Sequence, residues 1–210
     1  MENQNIEDEL VSIRSLMERS SKFISLSGLS GIMAGIYALI GSALAYHTVY
    51  SRTGFFSSRD FVVADIDTHL NTLIHLLIIA AAVLLLSVCT GIFLSVKKAK
   101  RKGQSVWTTT TRSLLFHSAI PLVTGGLFMM ILMNRGYYMI VAPASLIFYG
   151  LAVISGSHYT FTDVKYLGIL QIILGLIAAL YPGYGLIFWA LGFGVLHIVY
   201  GSIMYFKYDR

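Results

Sequence analysis

The chain has 210 residues, of which 56% are hydrophobic and only 12% are charged, and its mean hydropathy is +0.74. A soluble domain carries about 25% charged residues, so this composition excludes an ordinary soluble protein and indicates an integral membrane protein. The net charge of +5 reflects a local excess of lysine and arginine, and we expect no nucleic-acid partner.

The N-terminal segment, residues 1–22, is predicted to be a separate amphipathic helix. Ile6, Leu10, Ile13 and Met17 recur at helical spacing and form one apolar stripe. The segment has neither the positive start nor the short apolar core of a signal peptide. We expect it to lie at the cytoplasmic membrane interface, or alternatively to pair with a copy of itself.

Residues 23–210 are predicted to form one all-α transmembrane domain, since a span needs about 20 apolar residues. Six such stretches occur, at about 24–47, 70–96, 113–133, 138–157, 166–181 and 185–206. The fifth is short. A count of five therefore remains open, with one of the last two stretches re-entrant.

Small residues dominate the first span and indicate close helix packing. Gly31 and Gly35 form a G-x-x-x-G pattern, which lets membrane helices approach each other closely. This face is expected to pack inside the bundle or between subunits, and a homo-oligomer or another membrane protein is the expected partner.

The orientation follows from the positions of the 15 lysine and arginine residues. With a cytoplasmic N-terminus, only Arg52, Arg59 and Arg135 lie outside. The cytoplasmic side then holds Arg14, Arg19, Lys22, Lys97, Lys98, Lys100, Arg101, Lys102, Arg112, Lys165, Lys207 and Arg210. This asymmetry predicts that both termini are cytoplasmic. The run of Lys97, Lys98, Lys100, Arg101 and Lys102 either binds anionic lipid headgroups or only anchors the topology.

The sequence "DIDTH" before the second span is a candidate external metal site. Alternate spacing puts Asp65, Asp67 and His69 on one side of an extended segment, and His75 is a candidate fourth ligand. The alternative is a solvated loop in which Asp67 or Thr68 begins the second helix.

Histidines are the main titratable groups within the predicted spans, because every Asp, Glu, Lys and Arg lies outside their apolar cores. This pattern disfavours a proton antiporter or cation channel that relies on intramembrane carboxylates. His117 and His197 are candidates to hold a single haem between two helices. The main expectation is that the protein binds no cofactor, and haem and a divalent metal are the alternatives.

Gln171 and His197 form a candidate structural pair. Each is flanked on its helix face by two glycines, at i−3 and i+4, and the two lie at matching depth on either side of the "YPGYG" turn. We expect them to face each other, or to share a third partner, in a close-packed hairpin of spans five and six.

Two stretches, "MERSSKFISLSGLSGIMAGIYALIGS" and "YLGILQIILGLIAALYPGYGLIFWALGFGVLHIVYG", resemble a family of small bacterial six-span membrane proteins of unassigned function. The resemblance implies a bacterial inner-membrane location and no activity. The leading expectation is a non-enzymatic accessory or regulatory membrane component that acts through helix packing. A carrier or channel for a small neutral solute is the second, and a haem- or metal-binding redox protein is the third.

Overall fold

The computed structural model describes residues 27–50, 66–103 and 105–209, with the backbone alone at Tyr50 and at residues 66–70. Within these residues the chain is helical and contains no strand, so the prediction of an all-α protein is confirmed there. The predicted N-terminal helix at 1–22 and the Asp65 position lie outside the described residues.

Six helical segments follow one another along the chain. They are α1 (Gly28–Tyr50), α2 (Ile66–Arg101), α3 (Thr109–Asn134), α4 (Val141–Ser157, after a 3₁₀ turn at Tyr138–Ile140), α5 (Val164–Leu180) and α6 (Gly185–Asp209). Glycines with positive φ make three of the turns, at Gly103, Gly136 and Gly183. These turns need the left-handed region that glycine adopts without strain.

Five of the helices are long and apolar enough to cross a membrane. They are α1, α2, α3, α6 and the segment Tyr138–Ser157 that contains α4. Helix α5 is equally apolar but has 17 residues, which is the lower limit for a span. Five spanning helices are therefore supported by length and composition.

Helix α6 is not a regular α-helix throughout. Gly185–Trp189 and His197–Met204 are α-helical, whereas Ala190–Leu196 and Tyr205–Asp209 are π-helical. A π-helix has one more residue between bonded groups than an α-helix; it is found mostly as a short insertion inside α-helices, and frequently at functional sites. The first insertion lies directly before His197.

The contacts between the helices define their order. Helix α2 packs mainly on α1, and α3 packs mainly on α4. Both α1 and α4 pack against α6, while α5 lies against α4 and α6. The order across the molecule is α2, α1, α6, α4, α3, so α2 and α3 are outer arms. In the most apolar part of α2, no residue is buried.

Glycines form the closest contacts between these helices. A methyl group built on Gly35 would lie 2.6 Å from the Gly194 carbonyl oxygen, and one on Gly201 would lie 2.5 Å from the Ile32 nitrogen. On the other side, methyl groups on Gly150 and Gly168 would meet each other's carbonyl oxygens at 2.6 and 2.7 Å. The α1–α6 and α4–α5 backbones are thus in contact.

These contacts correct one part of the sequence interpretation. The glycines that flank His197, Gly194 and Gly201, pack against α1 and not against the fifth helix. The glycines that flank Gln171, Gly168 and Gly175, pack against α4. The close packing expected of the α5–α6 hairpin is therefore not made by these four glycines, because each helix turns its glycine stripe toward a different neighbour.

Candidate functional site

The His197 imidazole lies at the middle of α6, with 6% of the residue exposed. Its Nδ1 is 3.0 Å from the Gly192 carbonyl oxygen, and its Nε2 is 2.7 Å from the Tyr149 hydroxyl oxygen. A carbonyl oxygen can only accept, so the proton of the neutral ring is on Nδ1. Tyr149 therefore donates its hydroxyl proton to Nε2, and both ring nitrogens are occupied.

Gln171 is fully buried and lies beside the same ring. Its Nε2 donates to the Gly192 carbonyl at 2.8 Å and lies 3.4 Å from His197 Nδ1. Because both nitrogens carry protons directed at one oxygen, the 3.4 Å separation is a contact between two donors that share an acceptor. The structure thus brings Gln171 and His197 together at the Gly192 carbonyl.

The residue that joins the pair is Gly192, which the sequence interpretation did not single out. It lies inside the π-helical insertion. A methyl group on it would lie 2.4 Å from Leu146 Cδ2 and 2.6 Å from Gln171 Oε1. Only glycine leaves room for the amide of Gln171 against the α6 backbone. Gln171 Oε1 itself has no hydrogen-bond partner among the described residues.

Tyr149 was also missed, and its signal was present in the sequence. It is a tyrosine within the most apolar part of the fourth span, and a buried tyrosine hydroxyl usually has a hydrogen-bond partner. In the structure its ring lies 5.3 Å from that of His197 and 5.0 Å from that of Phe193. Trp189 continues the row, 5.0 Å from Phe193. We call Tyr149, Trp189, Phe193 and His197 the aromatic row.

The aromatic row lies on the wall of a groove of about 1040 Å³. The groove is partly open and is lined by residues of all six helices, of which α5 contributes Val164 and Leu167; α2 and α3 are its outer arms. None of its described lining residues is charged. The arrangement is a large apolar cleft with hydrogen-bonding groups near its middle, and such clefts are typical of small-molecule sites.

The other candidate histidines are placed elsewhere. His117 is exposed on α3, with Nδ1 2.8 Å from the Ser113 carbonyl and Nε2 3.3 Å from the Tyr159 hydroxyl. His117 and His197 thus hydrogen-bond to two different tyrosines. Haem binding between them stays a prediction, and it requires both rings to release these partners.

The predicted metal cluster is described only in part. His75 is exposed, with Nδ1 2.6 Å from the Asn71 carbonyl of its own helix. Asp67 and His69 belong to α2, but their side chains are outside the described set, as is all of Asp65. Among the side chains that are described, no three His, Cys, Asp or Glu residues form a group that could hold a metal ion. The metal site stays a prediction.

An ionic cluster joins three helices at the end of the molecule away from the "YPGYG" turn. Asp209 accepts hydrogen bonds from the Gly28 amide at 2.8 Å and the Ser27 hydroxyl at 3.1 Å, and it is ion-paired with Lys98. Lys98 also lies over the Phe161 ring, with its nitrogen 5.6 Å from the ring centroid. Asp209 therefore caps the start of α1 and fixes α2 to the end of α6.

Asp163 forms a second ion pair at the same end. It accepts from Lys207 at 2.6 Å and from the Tyr208 hydroxyl at 2.9 Å. The hydrogen bond from Lys207 is the main reason that the pKa of Asp163 lies below its ordinary value.

The residues of the basic run at 97–102 are not equivalent in the structure. Lys98 is ion-paired with Asp209, whereas Lys97, Lys100, Arg101 and Lys102 are exposed.

No protein-family model matches the chain, and neither a curated protein nor a solved structure is significantly similar to it.

Proposed function

We propose that this chain is a non-enzymatic integral membrane protein that binds a neutral, membrane-soluble small molecule in its groove. The observation that supports this most directly is the uncharged cleft of about 1040 Å³ that reaches the Tyr149–His197 hydrogen bond. A charged guest would lose its hydration without gaining an ionic partner on this wall, so the groove favours an uncharged one.

The hydrogen bonds made by His197 favour a binding role over a catalytic one. Both nitrogens of His197 are engaged, and the described lining offers no carboxylate or lysine to act with it. A general base needs a free nitrogen within reach of the substrate proton. This histidine positions Tyr149 on the groove wall.

A tryptophan in the groove provides the test. In a Trp107→Phe background, Trp189 is the remaining tryptophan of the chain and reports on the groove by its fluorescence. We expect bromododecane, a neutral apolar quencher, to quench it in a saturable way in lipid nanodiscs.

A matched pair of variants on α3 gives the control. Gly126 lines the groove with open space around its position, whereas its neighbour Leu127 is 58% exposed and does not line it. Gly126→Phe fills the groove and should abolish the saturable part of the quenching, while Leu127→Phe should leave it unchanged. Equal quenching in both variants would contradict the proposal.

An accessory or regulatory subunit that acts through helix packing is the second candidate. It is favoured by the exposure of the outer arms, since none of the most apolar part of α2 and only 6% of that of α3 is buried. Gly91 of α2 and Gly126 of α3 line the groove and have no atom within 4 Å of a built methyl group, so they leave room there for the helix of a partner protein or of a second copy. Mass measurement of the protein released from native membranes in mild detergent tests this candidate, because a monomer without bound protein excludes it.

For the topology we propose six spans with both termini in the cytoplasm of a bacterium, in its inner membrane. At 1.5 Å per residue, the 17 residues of α5 extend about 26 Å, close to the thickness of the hydrocarbon core. In a Cys89→Ser background, Lys102→Cys should be protected from a membrane-impermeant maleimide in intact cells, and Arg135→Cys should react. The reverse pattern contradicts the orientation.

At the cytoplasmic surface we propose that residues 1–22 form an interfacial helix and that the basic run binds anionic lipid headgroups. The four exposed basic residues, Lys97, Lys100, Arg101 and Lys102, support the second role. Each contributes about 1 kcal/mol near an anionic surface. Replacing these four by Gln should reduce retention of the anionic lipid phosphatidylglycerol during purification, whereas Lys98→Gln should have less effect because Asp209 already occupies Lys98.

A further inference from the structure

We propose that the last residues of α6, Tyr205–Asp209, form a clasp that holds the outer arm α2 in place, and that the phosphate of an anionic lipid opens the clasp by replacing Asp209 as the partner of Lys98. This inference rests on the proposed binding of anionic lipid by the basic run and adds a consequence of that binding. It does not depend on which molecule occupies the groove.

The clasp joins three separate parts of the molecule. Asp209 accepts a hydrogen bond from the Gly28 amide at the start of α1 and is ion-paired with Lys98 of α2. The Tyr208 ring stacks on that of Phe161, which lies between α4 and α5, with 4.1 Å between the ring centroids and an interplanar angle of 27°. Lys98 lies over the same Phe161 ring. The clasp therefore bridges α2 to the connection between α4 and α5.

Helix α2 is anchored mainly at this end. Among its described side chains only Ser95 and Ala99 are buried, and both lie within one turn of Lys98. Further from the clasp, in the most apolar part of the helix, no residue is buried. Releasing Lys98 would thus free the best-anchored part of α2, and α2 is one wall of the groove.

The ion pair of Lys98 is the exchangeable contact of the clasp, because neither charge is left without a partner when the pair breaks. Asp209 keeps the Gly28 amide at 2.8 Å and the Ser27 hydroxyl at 3.1 Å, and the start of a helix favours a negative charge. Lys98 keeps the ring of Phe161. Breaking a shielded ion pair is most costly when it leaves one charge unpaired, and this pair avoids that cost.

The neighbours of Lys98 in the chain can deliver the phosphate. Arg101 and Lys102 follow it by three and four residues and lie beside it on the helix surface, and both are exposed. The Lys102 amide still bonds to the Lys98 carbonyl, at 3.2 Å. A guanidinium group binds phosphate through two parallel hydrogen bonds. A lipid headgroup held by Arg101 and Lys102 is therefore one helical turn from Lys98.

The movement of α2 is measured as the distance between two spin labels in lipid nanodiscs. In a Cys89→Ser background, the labels are attached at Ile92→Cys of α2 and Tyr166→Cys of α5, whose native side chains are 60% and 55% exposed. In phosphatidylcholine, which carries no net charge, we expect one distance. Replacing it by phosphatidylglycerol should add a second, longer distance, and the fraction of that distance should rise with the phosphatidylglycerol content.

Variants of the clasp separate its two ion pairs. Asp209→Asn keeps an acceptor for the Gly28 amide but loses the charge that holds Lys98, so the longer distance should appear already in phosphatidylcholine. Lys207→Gln is the matched control, because it removes the ion pair with Asp163, in which α2 has no part. It should leave the distance, and the dependence of the distance on lipid, as in the wild type.

Four results would overturn the inference. If a single distance is found in both lipids while the basic run still retains phosphatidylglycerol during purification, the lipid binding stands and the clasp falls. If phosphatidylglycerol is not retained either, both proposals fall. If inorganic phosphate added to phosphatidylcholine nanodiscs produces the longer distance to the same extent, an ion from water opens the clasp and lipid does not. An unchanged distance in Asp209→Asn shows that the ion pair does not hold α2.

Discussion

The contact between α1 and α6 can be tested by adding one methyl group at Gly35. In Gly35→Ala the new carbon would lie 2.6 Å from the Gly194 carbonyl oxygen and 2.9 Å from the Ile198 nitrogen, whereas ordinary contacts begin at 3.4 Å. Both of these atoms belong to the backbone, so no side chain can rotate away. The two helices must separate along their contact.

The cost of this separation is that of overpacking, about 1–3 kcal/mol. Gly91→Ala in α2 is the matched control, because the added methyl group there has no atom within 4 Å. Both substitutions gain the same intrinsic helix preference, up to about 1 kcal/mol. The difference in unfolding free energy between the two variants therefore isolates the steric clash.

The assay is thermal unfolding of both variants in the same detergent, followed by circular dichroism. For a chain of this size, about 1–3 kcal/mol corresponds to roughly 2–12 °C in Tm, and we expect Gly35→Ala to unfold at the lower temperature. Equal midpoints for Gly35→Ala and Gly91→Ala would refute the close backbone contact between α1 and α6.

Three further outcomes concern the polar groups. Gln171→Leu should change the unfolding free energy by less than about 1 kcal/mol, because it removes both the hydrogen bond of Nε2 and the unpaired oxygen. Gln171→Ala should cost about 2–5 kcal/mol, because it leaves a cavity. Chemical unfolding measures both changes. Asp209→Asn keeps the amide cap of α1 but loses the ion pair with Lys98, so its Tm should lie between those of the wild type and Asp209→Ala. The Asp163 carboxylate is stabilised by Lys207, and the pKa of Asp163 is lowered from 3.8. Its contribution to stability is therefore present above that ordinary value and lost as the pH falls through the lowered one; a Tm that falls equally with pH in the wild type and Asp163→Asn would contradict this.

The positions of the helices could be predicted from the sequence, because each segment that crosses a membrane must by itself be long and apolar enough to do so. The predicted span at 138–157 coincides with Tyr138–Ser157, and α1, α2, α3 and α6 begin or end within several residues of their predicted limits. Small residues also marked the packing face correctly at Gly35, since any close approach in a membrane requires them.

Which neighbouring helix each packing face contacts depends on the spatial order of the helices. The periodicity of a single segment does not reveal that order. Gly194 and His197 share one side of α6, yet Gly194 contacts α1 while His197 turns toward Tyr149 of α4. The π-helical insertion at Ala190–Leu196 adds to this, because it changes the angle between residues before and after it. Gly192 becomes an acceptor for two side chains as a result, and no regular helical wheel predicts that.

The groove has a thermodynamic consequence that follows from its open side. Acyl chains of the bilayer occupy whatever part of it a guest leaves free, so lipid is both the medium that delivers a guest and the competitor that displaces it. Occupancy is then set by the mole fraction of the guest in the membrane and not by its concentration in water. Under the proposed function, the same protein would be saturated in a membrane rich in its ligand and empty in a large excess of detergent, without any change in the groove wall at Tyr149 and Phe193.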